Sequence, residues 1–321
     1  MTQADTVSLL AQLITISLVQ TSISLTPPYL VAAIGEIYAE QSGMLNVGIE
    51  GIMVLGAFLG FFGQYVTGSS VAGFAIAGIG GGVLALLMAY LCVTLKLDQI
   101  VVGLGVFFVG FGFASYLSAL VFPGGVPARI DTLQPIALPV LSGIPILGPI
   151  LFTQNAMVYL SFLFVPVAHY VLFRTNLGRE LRSVGENPAV ADSMGVDVYK
   201  LRYAALVFGG VLAGVAGAYL TQVVAGRFSR FIVGGRGFIV LGIVIVSLWD
   251  PRKALGVVLL LSVLESVQFS LQSVFPDAPL QFALMLPYVA TIVILLVIRM
   301  YGSIGQDMPG ALTVNYRRGG T

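Results

Sequence analysis

Charge is scarce in this sequence. Asp, Glu, Lys and Arg make up 9% of its 321 residues, against about 25% in an ordinary soluble domain. A water-soluble fold so poor in charge could not cover its own surface, and that class is excluded. Intrinsic disorder is excluded too, because it needs low hydrophobicity and high charge. The net charge is +1, which leaves no basic patch for nucleic acid. The lone cysteine, Cys92, lies in an apolar stretch, which excludes a disulfide framework and a cysteine-rich metal site. There is one histidine and no His-Glu-x-x-His, no Ser/His/Asp set, no Walker A pattern and no Gly-x-Gly-x-x-Gly after a strand. The chain is therefore not expected to be an enzyme, to bind nucleotide itself, or to carry a metal or cofactor.

Apolar residues fill the space: 58% of the chain, with a mean hydropathy of +1.00. The apolar stretches are continuous rather than alternating, which favours helices over a transmembrane barrel. A spanning helix needs roughly 20 apolar residues. Stretches at about 7–34, 47–66, 70–95, 100–121, 156–173, 203–224, 254–275 and 281–299 qualify, with a shorter one at 238–249. The first could be one tilted helix or two short ones broken at Pro27-Pro28. The fold expected is all-α, a polytopic membrane domain of eight to ten transmembrane helices over 1–321. Asp5 precedes the first apolar run and no Lys or Arg does, unlike a cleavable signal peptide.

Basic residues orient the helices. Arg174, Arg179, Arg182, Lys200, Arg202, Arg252, Lys253, Arg299, Arg317, Arg318 and Lys96 fall on one side, which is read as cytoplasmic. That places a cytoplasmic loop at 174–202, a cytoplasmic tail at 300–321 and a Pro/Gly-rich external loop at 122–155 containing Arg129. Arg227, Arg230 and Arg236 break the pattern, near the outer side or inside the membrane at a broken helix.

Charges at membrane depth are costly, by about 2.5–3.5 kcal/mol on insertion scales, and they usually face a cavity or a partner. Glu36, Glu50, Arg236 and Glu265 are such charges. Glu50 sits in Asn46-Val47-Gly48-Ile49-Glu50-Gly51, a poor helix interior. One reading is a loop entering a helix, with Glu50 favoured by the helix dipole. The other is a discontinuous helix lining a solute path. An internal comparison bears on this choice. At an offset of 186, five of the nine positions 48–56 are identical to 234–242, with Glu50 opposite Arg236. The two segments run in opposite directions, as an inverted repeat requires. Ser262, Glu265, Gln268 and Gln272 form a polar stripe, either bundle glue or path lining. Asn46, Glu50, Arg236 and Gln268 are the path candidates. His169 reads as a packing or interfacial residue, and Trp249 as an interfacial anchor.

The segment 174–202 contains a short helix with clear punctuation. Asn187 suits an N-cap, Pro188 the first helical position and Gly195 the stop. Ala189, Ala191 and Ser193 give it a small-sided surface, suited to a groove on a soluble partner.

Here the chain resembles a family. Gly185-Glu186-Asn187-Pro188 with Ala191 and Gly195 resembles the coupling helix of ABC-importer permeases of the branched-chain amino acid, ribose and nucleoside group. Ser42 through Gly51 resembles the early motif of their nucleoside and simple-sugar branch, and Gly235-Arg236-Gly237-Phe238-Ile239 and Leu286-Pro287-Tyr288 also match. The resemblance spans about 28–300. Gln41 stands where the family often has Arg, and Asp250 where it usually has Asn. The resemblance implies a permease subunit in a bacterial-type plasma (inner) membrane, in contact with membrane lipid. It implies three partners: a cytoplasmic ATPase subunit, a second related permease (a heterodimer), and an extracytoplasmic solute-binding lipoprotein or periplasmic protein. Glu186, Asn187, Pro188, Ala189, Ala191, Met194 and Gly195 would couple to the ATPase. Nucleosides are the first solute expected, then other purine-like compounds or simple sugars. An ion-coupled secondary transporter, with Glu50 or Glu265 carrying a proton, is the alternative.

Overall fold

The first apolar stretch is one helix, α1 (Ile16–Gln41), with Pro27 and Pro28 inside it. Two prolines remove two intrahelical donors, and backbone groups left unpaired at membrane depth are expensive. The carbonyl of Ser24, four residues before Pro28, accepts instead from the Tyr219 hydroxyl at 2.7 Å, and Asn155 Nδ2 donates to that hydroxyl at 3.0 Å. Thr26 Oγ1 back-bonds to Ser22 O at 3.0 Å. The helix therefore stays continuous and runs past residue 34, carrying Glu36 and Glu40 with it.

The computed structural model describes residues 16–124, 129–137, 139, 141–145, 147–274, 285–293, 296 and 307–318. The expectations for Asp5 and Arg299 lie outside these. After α1 come α2 (Ile49–Thr67), α3 (Ser70–Ala89, prolonged by a π turn Tyr90–Thr94) and α4 (Gln99–Val121). The loop beyond α4 holds β1 (Ile136–Ala137), a 3-10 turn (Leu141–Gly143), α5 (Leu147–Leu151) and β2 (Thr153–Gln154). β1 and β2 pair antiparallel, Ile136 with Gln154. Then follow α6 (Ala156–Arg174), α7 (Asn176–Glu186), α8 (Pro188–Ser193) and α9 (Val198–Tyr219, prolonged by a π turn Leu220–Ala225). α10 (Arg236–Val246) and α11 (Pro251–Val274) precede the helical residues 285–293.

Among the described residues, α2, α3, α4, α6, α9 and α11 are each long and apolar enough to cross a membrane. α1, the short α10 and residues 285–293 are further helical segments of the bundle, and the six spans among the described residues are fewer than the eight to ten expected. α1 lies at its centre, buried along most of its length and packed by α9, α11, α6 and α10. Apolar burial gives little drive between helices in lipid, so close approach of small residues does the packing. A Cβ on Gly56 would sit 2.3 Å from Gly214 O, and one on Gly81 2.2 Å from Gly210 O. These glycines bring α2 and α3 against the backbone of α9.

The offset of 186 carries α1, α2 and α3 onto α9, α10 and α11. The packing follows the same correspondence: α3 packs on α9, and α11 packs on α1. α2 ends where Gln64 Nε2 donates to Asp131 O of the loop between α4 and α6 at 2.7 Å. α10 ends near Asp250, whose carboxylate lies 3.0 Å from His169 Nδ1 toward the C-terminal end of α6. The two matched helices thus leave their common starting point in opposite directions.

Candidate functional site

That starting point is built around Glu50. It lies in the first turn of α2, where the helix dipole favours an anion. Its carboxylate also crosses to the start of α10, accepting the N–H of Gly235 at 2.8 Å and of Gly237 at 2.7 Å. One carboxylate therefore serves the N-termini of two helices, and the contact straddles the offset that aligns them. Neither end has a side-chain cap of its own: α2 starts at Gly48 and α10 at Gly235. The approach needs glycine at Gly237, where a Cβ would lie 2.6 Å from Glu50 Cα. Gly235 needs it as well, with φ +82 and the Tyr288 hydroxyl 2.6 Å from where a Cβ would be.

Arg236 leaves this junction toward α11. Its Nη1 donates to Ile232 O at 2.9 Å and Val233 O at 2.8 Å, its Nη2 donates to Glu265, and its guanidinium lies 6.0 Å from the Tyr29 ring centroid. The buried charge expected to oppose Glu50 is thus paired mainly with Glu265. Gln268 is one turn further along α11 and 5% exposed. Ser262 accepts from Thr26 Oγ1 at 3.3 Å, so this part of the polar stripe holds α11 to α1.

Asn46 is fully buried in the turn before α2, and its backbone N–H donates to Glu36 Oε1 at 2.9 Å. Among the described residues, Asn46 Nδ2 and Oδ1, Glu36 Oε2, Arg236 Nε and Glu265 Oε2 meet no hydrogen-bonding partner. Buried polar atoms are almost always paired, and five of the eleven unpartnered ones among the described residues lie on these four side chains. All four path candidates are enclosed by the chain's own helices rather than exposed on a face. The exposed groups beside them are aromatic. Phe231 is 72% exposed and Phe238 42%. Their rings pack on Phe111 and Phe107 with centroids 5.9 and 5.6 Å apart. Tyr288 donates to Gly234 O. Sequence reasoning missed this face, because single aromatics scattered over three segments carry no local pattern.

Trp249 corrects an expectation. It is 1% exposed, and its indole N–H donates to Glu40 Oε2 at 2.6 Å. It is a buried partner for a buried carboxylate, not an exposed anchor. His169 is a packing residue, stacked 4.7 Å from Phe173 and bonded to Asp250.

At the other end of the bundle, α8 forms as its punctuation predicts. Asn187 Oδ1 accepts the Val190 N–H at 3.2 Å, Pro188 opens the helix, and Gly195 has φ +88. Glu186 ends α7 and accepts the Gly310 N–H at 3.2 Å. Ala191 differs from expectation: it is 3% exposed and packs with Val184 and Val198. In a six-residue helix lying on a surface, one side must face the protein, and Ala191 is on it. The outward side is Ala189, Val190, Ser193 and Met194, with Met194 80% exposed. A large apolar side chain this open on a charged face suits a partner's groove.

Comparisons with known proteins accord with this geometry. Residues 18–298 match the model of the family described as branched-chain amino acid transport system / permease component. A guanosine ABC transporter permease of Bacillus subtilis is 32% identical over 305 residues, covering 91% of this chain and 93% of that protein. A nucleoside ABC transporter permease of Lactococcus lactis is 34% identical over 280 residues, covering 84% and 87%. A Haloferax volcanii protein provisionally named as a glucose ABC transporter permease is 34% identical over 313 residues, covering 90% and 94%. No solved structure matches the chain.

Proposed function

The chain belongs to the family of branched-chain amino acid transport system permease components, and from that premise we propose that the solute it moves is a nucleoside. It is a multi-pass plasma-membrane permease of an ABC importer, working with an ATPase and a substrate-binding component. The finer assembly proposed is a heterodimer with a second related permease, supplied by an extracytoplasmic binding lipoprotein or periplasmic protein.

The observation that carries the nucleoside reading is the aromatic face beside a set of polar atoms. A nucleobase offers a flat apolar face and polar edges. Exposed rings at Phe231, Phe238 and Tyr288 suit the face, since offset aromatic contacts add about 0.5–1.5 kcal/mol beyond burial. Asn46, Glu50, Arg236 and Gln268 stand behind it and suit the edges. Two of the similar permeases named above are, by name, a guanosine and a nucleoside permease. The path need not bind tightly, because the external protein supplies affinity. On the cytoplasmic side, Ala189, Val190 and Met194 would seat in the ATPase, with Glu186, Asn187, Pro188, Ala191 and Gly195 shaping and holding α8. Rigid-body motion of the helices would then alternate access.

The test is uptake by the complete complex in liposomes, with ATP inside and labelled guanosine or glucose outside. ATP-dependent guanosine uptake, weakened in Phe231→Ala and Phe238→Ala with ATP hydrolysis retained, is the expected result. Uptake driven by an ion gradient without ATP would return the chain to the secondary-transporter alternative. Glucose uptake alone would overturn the nucleoside reading.

A further inference from the structure

The tail holds a device that the permease reading does not use. Residues 309–318 lie across the cytoplasmic end of the bundle and touch four places in turn. They begin at the end of α7, where Ala311 N–H donates to Gly185 O at 2.8 Å and Gly310 N–H to Glu186 Oε2 at 3.2 Å. They next reach the turn between α1 and α2, where Thr313 N–H donates to Gly43 O at 3.2 Å. Arg202, 2% exposed, fastens this crossing: its Nε donates to Ser42 O at 3.2 Å and its Nη1 to Val314 O at 2.9 Å. Asn315 Nδ2 then donates to Lys96 O at 2.8 Å and Leu97 O at 3.1 Å, in the turn between α3 and α4. The tail ends on α8. Tyr316 Oη donates to Asp192 Oδ2 at 3.0 Å, and Arg318 Nε lies 3.1 and 3.0 Å from the two Asp192 oxygens.

A tail that merely rested on the surface would not need these particulars. Thr313 has φ +67, a conformation that β-branched residues rarely adopt and that persists only where surrounding contacts hold it. Tyr316 also packs on the small cluster of Val184, Ala191 and Val198 under α8. The turn that Thr313 and Arg202 grip leads within four residues to Asn46, and four more reach Glu50.

We propose that this tail is a coupling strap, which carries displacement of α8 to the Ser42–Gly43 turn and so to the Glu50 junction. The proposal rests on the importer reading above. Arg318 and Asp192 are its cytoplasmic fastening, and Arg202 and Thr313 its fastening on the core. Val190, Ser193 and Met194 on the exposed side of α8 are left free for the ATPase, because the described strap residues bond α8 through Asp192 and pack on the cluster beneath it. Chains of hydrogen bonds between rigid elements are a physical route for such coupling when both ends have two positions.

The test uses the whole complex in liposomes, comparing wild type with Arg318→Glu, Asp192→Arg, Asn315→Ala and the swap Asp192→Arg/Arg318→Asp. ATPase retention on the complex, ATP hydrolysed, and labelled guanosine or glucose moved per ATP are measured together. Each charge variant is expected to keep its ATPase and its hydrolysis while solute moved per ATP falls by about tenfold. Asn315→Ala should fall in the same direction, and the swap should restore most of the loss. An unchanged ratio in the single variants would overturn the strap. Loss of the ATPase from the complex would overturn it as well, because the tail would then be a docking element. Met194→Asp separates the two levels. If it uncouples while the strap variants do not, the strap alone fails. If the wild-type complex shows no ATP-driven uptake, the importer reading fails and the strap with it.

Discussion

Two arginine–carboxylate pairs stand at the two ends of the proposed coupling. At the Glu50 junction, Arg236 pairs with Glu265, with side chains 16% and 4% exposed. Between the tail and α8, Arg318 pairs with Asp192, with side chains 63% and 16% exposed. The same chemistry has different consequences. Removing one member of a buried pair strands a charge where water cannot reach it. An exposed pair is screened, and its ions are solvated whether or not they meet. The inner pair therefore belongs to the integrity of the bundle, whereas the outer pair can be made and broken during a transport cycle.

The largest effect expected from breaking this contrast is at Arg236. Arg236→Ala should destabilise the detergent-solubilised protein by about 3–5 kcal/mol, because Glu265 is left buried without its cation. Thermal unfolding with and without Glu265→Leu measures it. Recovery of stability in Arg236→Met/Glu265→Leu, with uptake still lost, would separate a path role from a structural one. Full recovery of uptake would make the pair purely structural.

Glu50→Gln comes next. The amide keeps the shape but loses the charge that two helix N-termini share, and hydrogen bonds to charged groups contribute about 1.5–3 kcal/mol each. A loss of stability within that range and a clear drop in uptake, with normal assembly, are expected. Wild-type uptake would leave Glu50 a structural cap.

On the exposed side of α8 stability should barely move. Met194→Asp changes an exposed side chain and should stay within about 0.5 kcal/mol of wild type, yet uncouple hydrolysis from uptake. Ala191→Arg tests the opposite side of the same helix. It should dislodge α8 and lower the melting temperature, and an unshifted melting curve would contradict the burial of Ala191.

The smallest effect is with acid. The Arg318 hydrogen bond holds Asp192 below its ordinary value. A depressed carboxylate adds stability that is present above the unfolded value and is lost as pH falls through the folded one. The tail should therefore stay fastened down to about pH 3.9 and loosen only below it. Hydrogen exchange at the Ala311 and Thr313 amides, corrected for intrinsic rate, checks this, and loosening between pH 7 and 5 would contradict it.

Local chemistry made much of this readable in advance. The cap, first-turn proline and stop glycine of α8 are sequence neighbours, and so their helix could be located from the chain alone. The Glu50 and Arg236 segments were legible as a matched pair because both need glycines for close approach, and the repeated spacing survives in the sequence. Other features left no such trace. Glu40 meets Trp249 across 209 residues. Ala191 and Ala189 look alike in sequence, and only the surface beneath α8 makes one buried and the other open. The tail reads as a polar terminus until Arg202 and Asp192 are placed under it.

The sequence by itself determined that this chain lives in a membrane as a helical bundle and where its helices break. Those properties come from hydropathy and backbone punctuation, each of which acts over a few residues or by simple summation. Only the tertiary structure decided which charge meets which. Glu50, in the first turn of one helix, accepts from the N-terminus of another, Arg236 turns to Glu265, and the tail binds α8 to the core. In a medium without water, a buried charge must find its partner wherever the packing brings one near, and such proximity depends on the whole fold rather than on any one stretch of chain.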